Sequence, residues 1–216
     1  MTNPTPAALQ AEIKRLTDEN RDLRVALDSL QNSVRALSEM YLIAKEINFD
    51  TNLLQMLAGV LDVALEVMRA ADGSLLLVDE SHKELVFVVA RGRAADPLLG
   101  YRMPMTQGIA GWVVAHNEPQ AVSRASEDPR FYPLVDKEFD FSTRSLLCAP
   151  VCLDNERVMG VIEVLNKAAN REFTENDLHL LTVVAQLAAV ANHRVERTFP
   201  AGEQRDAAHA QLLRRH

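Results

Sequence analysis

The chain has 216 residues, of which 48% are hydrophobic and 25% are charged, and its formal net charge is −7. This length suits one globular domain with appendages, and this composition excludes a wholly disordered chain and a membrane protein. The 23 Lys and Arg residues are scattered along the chain. Because binding to phosphate backbones needs a concentrated basic surface, we expect no nucleic-acid partner.

The first residues lack an apolar core flanked by a basic end and a small-residue cleavage site, so they predict no secretory signal. The longest apolar run, residues 180–191, is too short to span a bilayer. We therefore expect a cytoplasmic protein with no membrane partner. Cys148 and Cys152 lie four positions apart in a strand-like segment, which places them about 13 Å apart and out of disulfide reach. Both are predicted to be buried free thiols.

Leucine recurs every seven residues from Leu9 to Leu37, with a second set of mostly apolar residues between. This heptad predicts a parallel coiled-coil helix over residues 9–47, preceded by a disordered start over residues 1–8. Asn20 lies in the second set, at an a position, where paired Asn side chains favour two parallel strands in fixed register. The predicted dimerisation residues are Leu16, Asn20, Leu23, Leu27 and Leu30. The alternative is an amphipathic helix that folds back on its own domain.

A second amphipathic helix is predicted from about Asp50 or Thr51 to Ala70, and residues 71–73 are expected to break it. Strands are predicted at 74–79 and 85–90, joined by a polar turn, with a third at 101–105 near a sheet edge because of Pro104. The GIAGWVVAH segment predicts a helix capped by Thr106, whose glycines allow close backbone approach.

The second half of the chain predicts a short strand at 120–122, a long loop at 126–141, and a hairpin formed by 144–153 and 158–165. Thr174 and Asp177 have the spacing of an N-cap and its reciprocal acid, with Phe173 as the hydrophobic staple, so a helix is predicted to run to about Arg197. Residues 198–216 form a tail with no predicted role. The fold class is therefore α+β, with a five- or six-stranded antiparallel sheet and helices packed on one face.

This order of elements, together with GIAGWV, EDPRFYPLVD, TRSLLCAPV and GVIEVLNK, strongly resembles a GAF domain over residues 50–197. The resemblance is greatest to the regulatory GAF domains of cyclic-nucleotide phosphodiesterases and bacterial adenylate cyclases. Their structural motif is matched here by Asn166, Lys167, Phe173 and Asp177, whereas Leu178 replaces its final Glu. The resemblance implies that Lys167 and Asp177 pair beneath a ligand site, although helix capping alone also accounts for Phe173 and Asp177.

By the same resemblance, certain residues are expected to face a cyclic nucleotide, namely Ser74, Ile109, Ala110, Tyr132, Asp136, Thr143 and Glu163. Two further positions depart from the pattern of cyclic-nucleotide binders. Arg91 stands where some of them have an acidic residue that reads the base, and Phe139 replaces a small hydroxyl residue. Both are counted among the predicted ligand-site residues.

The first functional hypothesis is a dimeric regulatory module that senses a small molecule such as cAMP or cGMP and signals to an effector protein through its paired terminal helices. The alternative is a protein-interaction or dimerisation domain whose site is filled by side chains such as Phe139 and Tyr132. An enzyme is not expected, since GxSxG, HExxH and paired-cysteine metal spacings are absent from the sequence. No metal site and no permanent cofactor are predicted.

Overall fold

The computed structural model describes residue 6, residues 10–25 and 27, residues 53–152 and residues 157–198. The chain forms two compact units, Met1–Ser38 and Glu39–His216. Several sequence-based predictions lie outside the described residues: most of the disordered start, residues 28–47 of the coiled coil with Leu30, the cap of the second helix, and the tail beyond residue 198.

The first unit contains helix α1, over residues 10–25. Its heptad side chains are exposed, from 50% at Leu16 to 63% at Ile13 and Leu23. Residues three and four apart lie side by side on one surface of a helix. Contacts within a single helix therefore leave this apolar surface exposed. Helix formation over these residues agrees with the heptad pattern, whereas pairing of two such helices stays a prediction.

The second unit is built from helices α2–α6 and strands β1–β6 in its described part. The helices are α2 Leu53–Met68, α3 Ala95–Leu98, α4 Gly108–His116, α5 Pro133–Glu138 and α6 Glu175–Thr198. The strands are β1 Ala70–Asp79, β2 Glu84–Arg91, β3 Arg102–Pro104, β4 Gln120–Val122, β5 Leu146–Val151 and β6 Gly160–Lys167. No helix among the described residues is both long enough and apolar enough to cross a membrane.

The six strands form one sheet in the order β3-β2-β1-β6-β5-β4. Every neighbouring pair is antiparallel. The two central strands, β1 and β6, come from opposite ends of the domain, and their register places Ser74 opposite Glu163. The prediction of an α+β fold with five or six antiparallel strands is therefore confirmed, with six strands.

Helices α2 and α6 pack on one face of the sheet, as the Gly73 position shows. A Cβ atom at Gly73 would lie 2.7 Å from the Glu163 carbonyl oxygen and 3.0 Å from the Leu65 side chain, so only glycine permits this approach. Leu61 of α2 and Leu181 of α6 are completely buried in this layer. Burial of such side chains is the main stabilising contribution to this half of the domain.

The opposite face of the sheet carries a second core, because alternate residues of each strand point that way. Leu76, Cys148 and Val161 lie in one cluster with Val113 of α4. Cys148 is completely buried, as predicted, whereas Cys152 is only half-buried and its thiol donates to Asn117 Oδ1 at 3.2 Å. Both cysteines are free.

The end of α2 differs from the prediction. Residues 71–73 do not break the helix; they belong to β1, which begins at Ala70. The helix ends instead at Arg69, whose φ of 53° lies in the left-handed region. Sequence patterns favoured the Asp-Gly pair as a turn, but pairing of Asp72 and Gly73 with β6 holds them in the strand.

Two predictions around α4 and the long loop are wrong. Gln107, not Thr106, precedes the first residue of α4, and no side chain caps this helix. The Gln107 amide instead donates to the Pro104 carbonyl at 3.0 Å. The predicted loop at 126–141 contains helix α5. Pro133 is the first residue of this helix, a position that favours proline.

Candidate functional site

A cleft opens on the sheet face opposite α2 and α6, between β1, β6, the start of α4 and the segment that contains α5. The cavity within it has a volume of about 80 Å³. All nine residues predicted for the ligand site line this cleft: Ser74, Arg91, Ile109, Ala110, Tyr132, Asp136, Phe139, Thr143 and Glu163. The fold therefore collects them in one place, from five separate segments of the chain.

The start of α4 forms one wall of the cleft and depends on glycine. Gly108 has a φ of +73°, and a Cβ atom there would lie 3.3 Å from the Cβ of Tyr132. A Cβ atom at Gly111 would lie 2.5 Å from the Met105 carbonyl oxygen. The amides of Ile109 and Ala110 have no hydrogen-bond partner among the described residues, so they remain available to a negatively polarised ligand atom.

Glu163 lies at the floor of the cleft, where β6 runs beside β1. Ser74 Oγ donates to Glu163 Oε2 at 2.9 Å. Desolvation by the surrounding protein raises the pKa of Glu163 to about 7; the Ser74 hydrogen bond opposes this shift, and the nearby Asp136 carboxylate adds to it. Burial, and then the Glu163 charge, raises the pKa of the Cys148 thiol, which makes that thiol a poor nucleophile.

Asp136 and Thr143 are bound to each other across the end of the α5 segment. The Thr143 amide donates to Asp136 Oδ2 at 2.7 Å, and its hydroxyl donates to Asp136 Oδ1 at 2.8 Å. Both carboxylate oxygens are therefore already occupied by the protein. These two hydrogen bonds hold α5 over the cleft and fix the position of the α5 side chains that line it.

Arg91 lines the edge of the cleft, but its charge is directed away to helix α2. Its Nε donates to Asp62 Oδ1 at 2.6 Å and its Nη2 to Asp62 Oδ2 at 3.1 Å. This bidentate arrangement matches the fork of a guanidinium to a carboxylate. Arg91 thus joins the wall of the cleft to α2, the helix that follows the predicted coiled coil in sequence.

Aromatic side chains form the outer wall. The rings of Tyr101 and Phe139 meet edge to face, with centroids 5.1 Å apart, and Phe87 lies 6.0 Å from Tyr101 by the same measure. Phe139 is held in the wall by this contact, and the cleft remains open beside it.

The four structural-motif residues lie at the end of β6 and around the start of α6. Asn166 has a φ of 52°, and its side chain donates to the Ser142 carbonyl at 2.9 Å and accepts from the Arg144 amide at 2.8 Å. It therefore fastens the end of β6 to the segment that carries Thr143.

Lys167 Nζ donates to Asp177, and both side chains are mostly buried, at 14% and 16% exposure. Asp177 Oδ2 also accepts from the Thr174 amide at 2.7 Å, while the Asp177 amide donates to Thr174 Oγ1 at 3.2 Å. This is the reciprocal capping arrangement that the spacing predicts. Lys167 also lies over the ring of Phe173, 5.6 Å from its centroid. One carboxylate thus serves both the ion pair and the cap.

Sequence reasoning missed several side chains that line the cleft. Asp72 precedes Ser74 by two residues on β1, and the strand period of two could have found it. Val135 lies four residues before Phe139, which is the helical spacing of α5. Both signals are hidden in the sequence, because the Asp-Gly pair of β1 predicts a turn and the six residues of α5 carry little helical periodicity.

Comparison with known proteins identifies the same part of the chain that forms the sheet and its helices. The family model of the GAF domain matches residues 52–192. The dual 3′,5′-cyclic-AMP and -GMP phosphodiesterase 11A of Takifugu rubripes is 30% identical over 158 residues, which cover 69% of this chain and 18% of that protein. The chain therefore spans less than a fifth of that relative's length.

Solved structures share the fold. The GAF domain of a phosphoenolpyruvate-protein phosphotransferase from Coxiella burnetii is 24% identical with a TM-score of 0.64, covering 78% of this chain and 99% of that one. The free methionine-R-sulfoxide reductase from Neisseria meningitidis, in complex with its substrate, is 20% identical with a TM-score of 0.62, covering 77% and 93%. At these identities the likeness concerns the fold alone.

Proposed function

Because the chain belongs to the GAF domain family, whose members are regulatory or sensory modules, we propose that it is a dimeric regulatory module that senses a small molecule in the cleft. cAMP and cGMP are the first candidate ligands, since a relative at 30% identity is a phosphodiesterase of both cyclic nucleotides. In this proposal the chain is not an enzyme, and its output passes to an effector protein.

The observation that carries the proposal is the open cleft with polar groups at both ends. The amides of Ile109 and Ala110, which have no hydrogen-bond partner within the described part of the chain, lie at one side, and the Glu163 carboxyl lies at the floor. Ligand sites in proteins are typically apolar clefts with a few polar groups that fix orientation. A cyclic nucleotide carries one negatively charged phosphate, which would accept hydrogen bonds from these amides. It also carries a polar base, which would form hydrogen bonds with Glu163 at the floor.

Signal output is proposed to run through the long helices. Arg91 couples the cleft edge to Asp62 of α2, and α2 packs on α6 beneath the sheet. The heptad residues Leu16, Asn20, Leu23 and Leu27 would pair α1 with a second copy. A ligand changes such an assembly only if it binds one of two helix arrangements more tightly than the other.

The alternative is a dimerisation or protein-interaction domain whose cleft binds no ligand. It would require the aromatic side chains to fill the space, whereas Phe139 packs against Tyr101 in the wall. Because Phe139 is held against Tyr101, sensing is favoured over this alternative.

Thermal unfolding with and without cAMP, cGMP and 5′-nucleotides tests the proposal. A ligand at 100 times its dissociation constant adds about 2.7 kcal/mol to the free energy of unfolding. Tyr132→Ala, which removes a cleft side chain, should abolish the shift. Leu134→Ala is the matched control, since Leu134 is 50% exposed on the same segment. No shift with any nucleotide would contradict the cyclic-nucleotide candidate.

A further inference from the structure

The inner end of the cleft is formed by the Glu163 carboxyl, and the role given to it here rests on the proposed function. We propose that Glu163 accepts hydrogen bonds from N–H donors of the ligand, so that the cleft selects a ligand whose inner edge carries donors and no negative charge. A guanine or other amino-bearing heterocycle meets this requirement. A phosphate or carboxylate at that end does not.

The geometry leaves one Glu163 oxygen for the ligand. Ser74 occupies Oε2, whereas Oε1 has no partner among the described residues. No fully buried polar side-chain atom in the described part of the chain lacks a hydrogen bond. Oε1 is therefore reached from the cleft, which Glu163 lines.

The neighbouring charges favour a donor at this oxygen. Asp136 of α5 and Asp72 of β1 are further carboxylates in the lining, and Cys148 lies beside Glu163 on β5. Helix α4 contributes Ile109 and Ala110, which have no titratable group.

The cation of the cleft lining is already engaged. Arg91 of β2 is held by Asp62 through two hydrogen bonds. A second anion at the floor would therefore meet repulsion that no free cation among the described lining residues compensates. Like charges at short range in a desolvated site are costly. A ligand N–H group instead satisfies Oε1.

Ligand binding is then linked to a proton. With a pKa of about 7, Glu163 is partly protonated in the empty cleft at neutral pH. A donor ligand binds the carboxylate form, so its binding expels that proton and strengthens as pH rises. Since apparent affinity scales with the competent fraction, we expect binding to be about tenfold tighter at pH 8 than at pH 6. A ligand that offered an acceptor would show the opposite trend.

Calorimetric titration with cyclic GMP and its N1-methyl derivative tests this inference, at pH 6 and pH 8 and in buffers of different ionisation enthalpy. The expected result is proton release with cyclic GMP, about tenfold tighter binding at the higher pH, and weaker binding of the methylated compound, which lacks the N1 donor. Glu163→Gln should abolish the pH dependence. Glu118→Gln, which changes an exposed carboxylate outside the cleft lining, is the control and should keep it.

The outcomes separate the two proposals. Binding of cyclic GMP without proton release, or with tighter binding at pH 6, would overturn the role of Glu163 and leave small-molecule sensing intact. Binding by neither compound nor by any nucleotide of the thermal panel would overturn both. A ¹³C NMR titration of the ligand-free protein is independent of any ligand, and a Glu163 midpoint below pH 5 would also refute the proton linkage.

Discussion

Tyr101 and Phe139 meet edge to face beside the cleft, with interplanar angle 87° and ring centroids 5.1 Å apart. Tyr101 immediately precedes β3, while Phe139 follows α5, so this contact joins the sheet edge to the segment over the cleft. Phe139, which the sequence offers as a side chain that fills the site, therefore belongs to its wall.

Phe139→Ala is expected to lower the free energy of unfolding by about 2 kcal/mol, since it removes a half-buried ring and an aromatic pair. Urea denaturation measures the change. Leu134→Ala provides the control, because Leu134 is exposed on α5, the helix that Phe139 follows, and should change stability by less than about 0.5 kcal/mol. Equal losses in the two variants would show that the ring contact contributes nothing.

Asp177→Ala is expected to cost about 2–4 kcal/mol, because Asp177 both pairs with Lys167 and caps α6. Lys167→Met keeps the cap and should cost only about 1–2 kcal/mol. Chemical denaturation of both variants measures the difference, with exposed Asn176→Ala as a near-neutral control. A larger loss for the Lys167 variant would mean that the ion pair outweighs the cap.

Asn166→Ala is expected to be about 1 kcal/mol more destabilising than Asn166→Gly. Both substitutions lose the hydrogen bonds to Ser142 and Arg144, but only Ala is strained at a φ of 52°. Equilibrium unfolding of the two variants gives the comparison. If Ala is equal to Gly or better, left-handed backbone is not what requires Asn at this position.

Glu163 predicts a pH dependence of stability in the absence of ligand. Its pKa is about 7 when folded, above the ordinary value of 4.5, so the stability it contributes is fully present below pH 4.5 and is lost as pH rises towards 7. The difference in unfolding free energy between wild type and Glu163→Gln should fall over this window by up to about 3 kcal/mol. Unfolding at several pH values measures it, and a constant difference would contradict a raised pKa.

Asn20→Leu is expected to keep α1 helices associated while loosening their preference for two strands, because a lone Asn at an a position specifies the dimer. Size-exclusion chromatography with light scattering measures the oligomeric state. Asp18→Asn, at an outer heptad position, should leave a dimer unchanged. A monomeric wild-type protein would refute the coiled coil itself.

The sequence by itself determined the local features of this protein. Short apolar runs bounded by polar turns located the strands, the helical period located α2 and α6, and the spacing of Thr174 and Asp177 located the start of α6, because each signal depends on residues within a few positions of one another. The resemblance in GIAGWV and GVIEVLNK then predicted residues that line one cleft. Short elements such as α3 and α5 were missed because four to six residues carry little periodicity.

Only the tertiary structure decided how those residues behave. Ser74 and Glu163 lie 89 positions apart, and their hydrogen bond exists because β1 and β6 are neighbours in the sheet. The direction of Arg91 towards Asp62 depends in the same way on how α2 packs. The raised pKa of Glu163 arises chiefly from desolvation by elements that the chain brings together from far apart. Local sequence patterns encode none of these, because desolvation and long-range pairing exist only once the sheet and its helices are assembled.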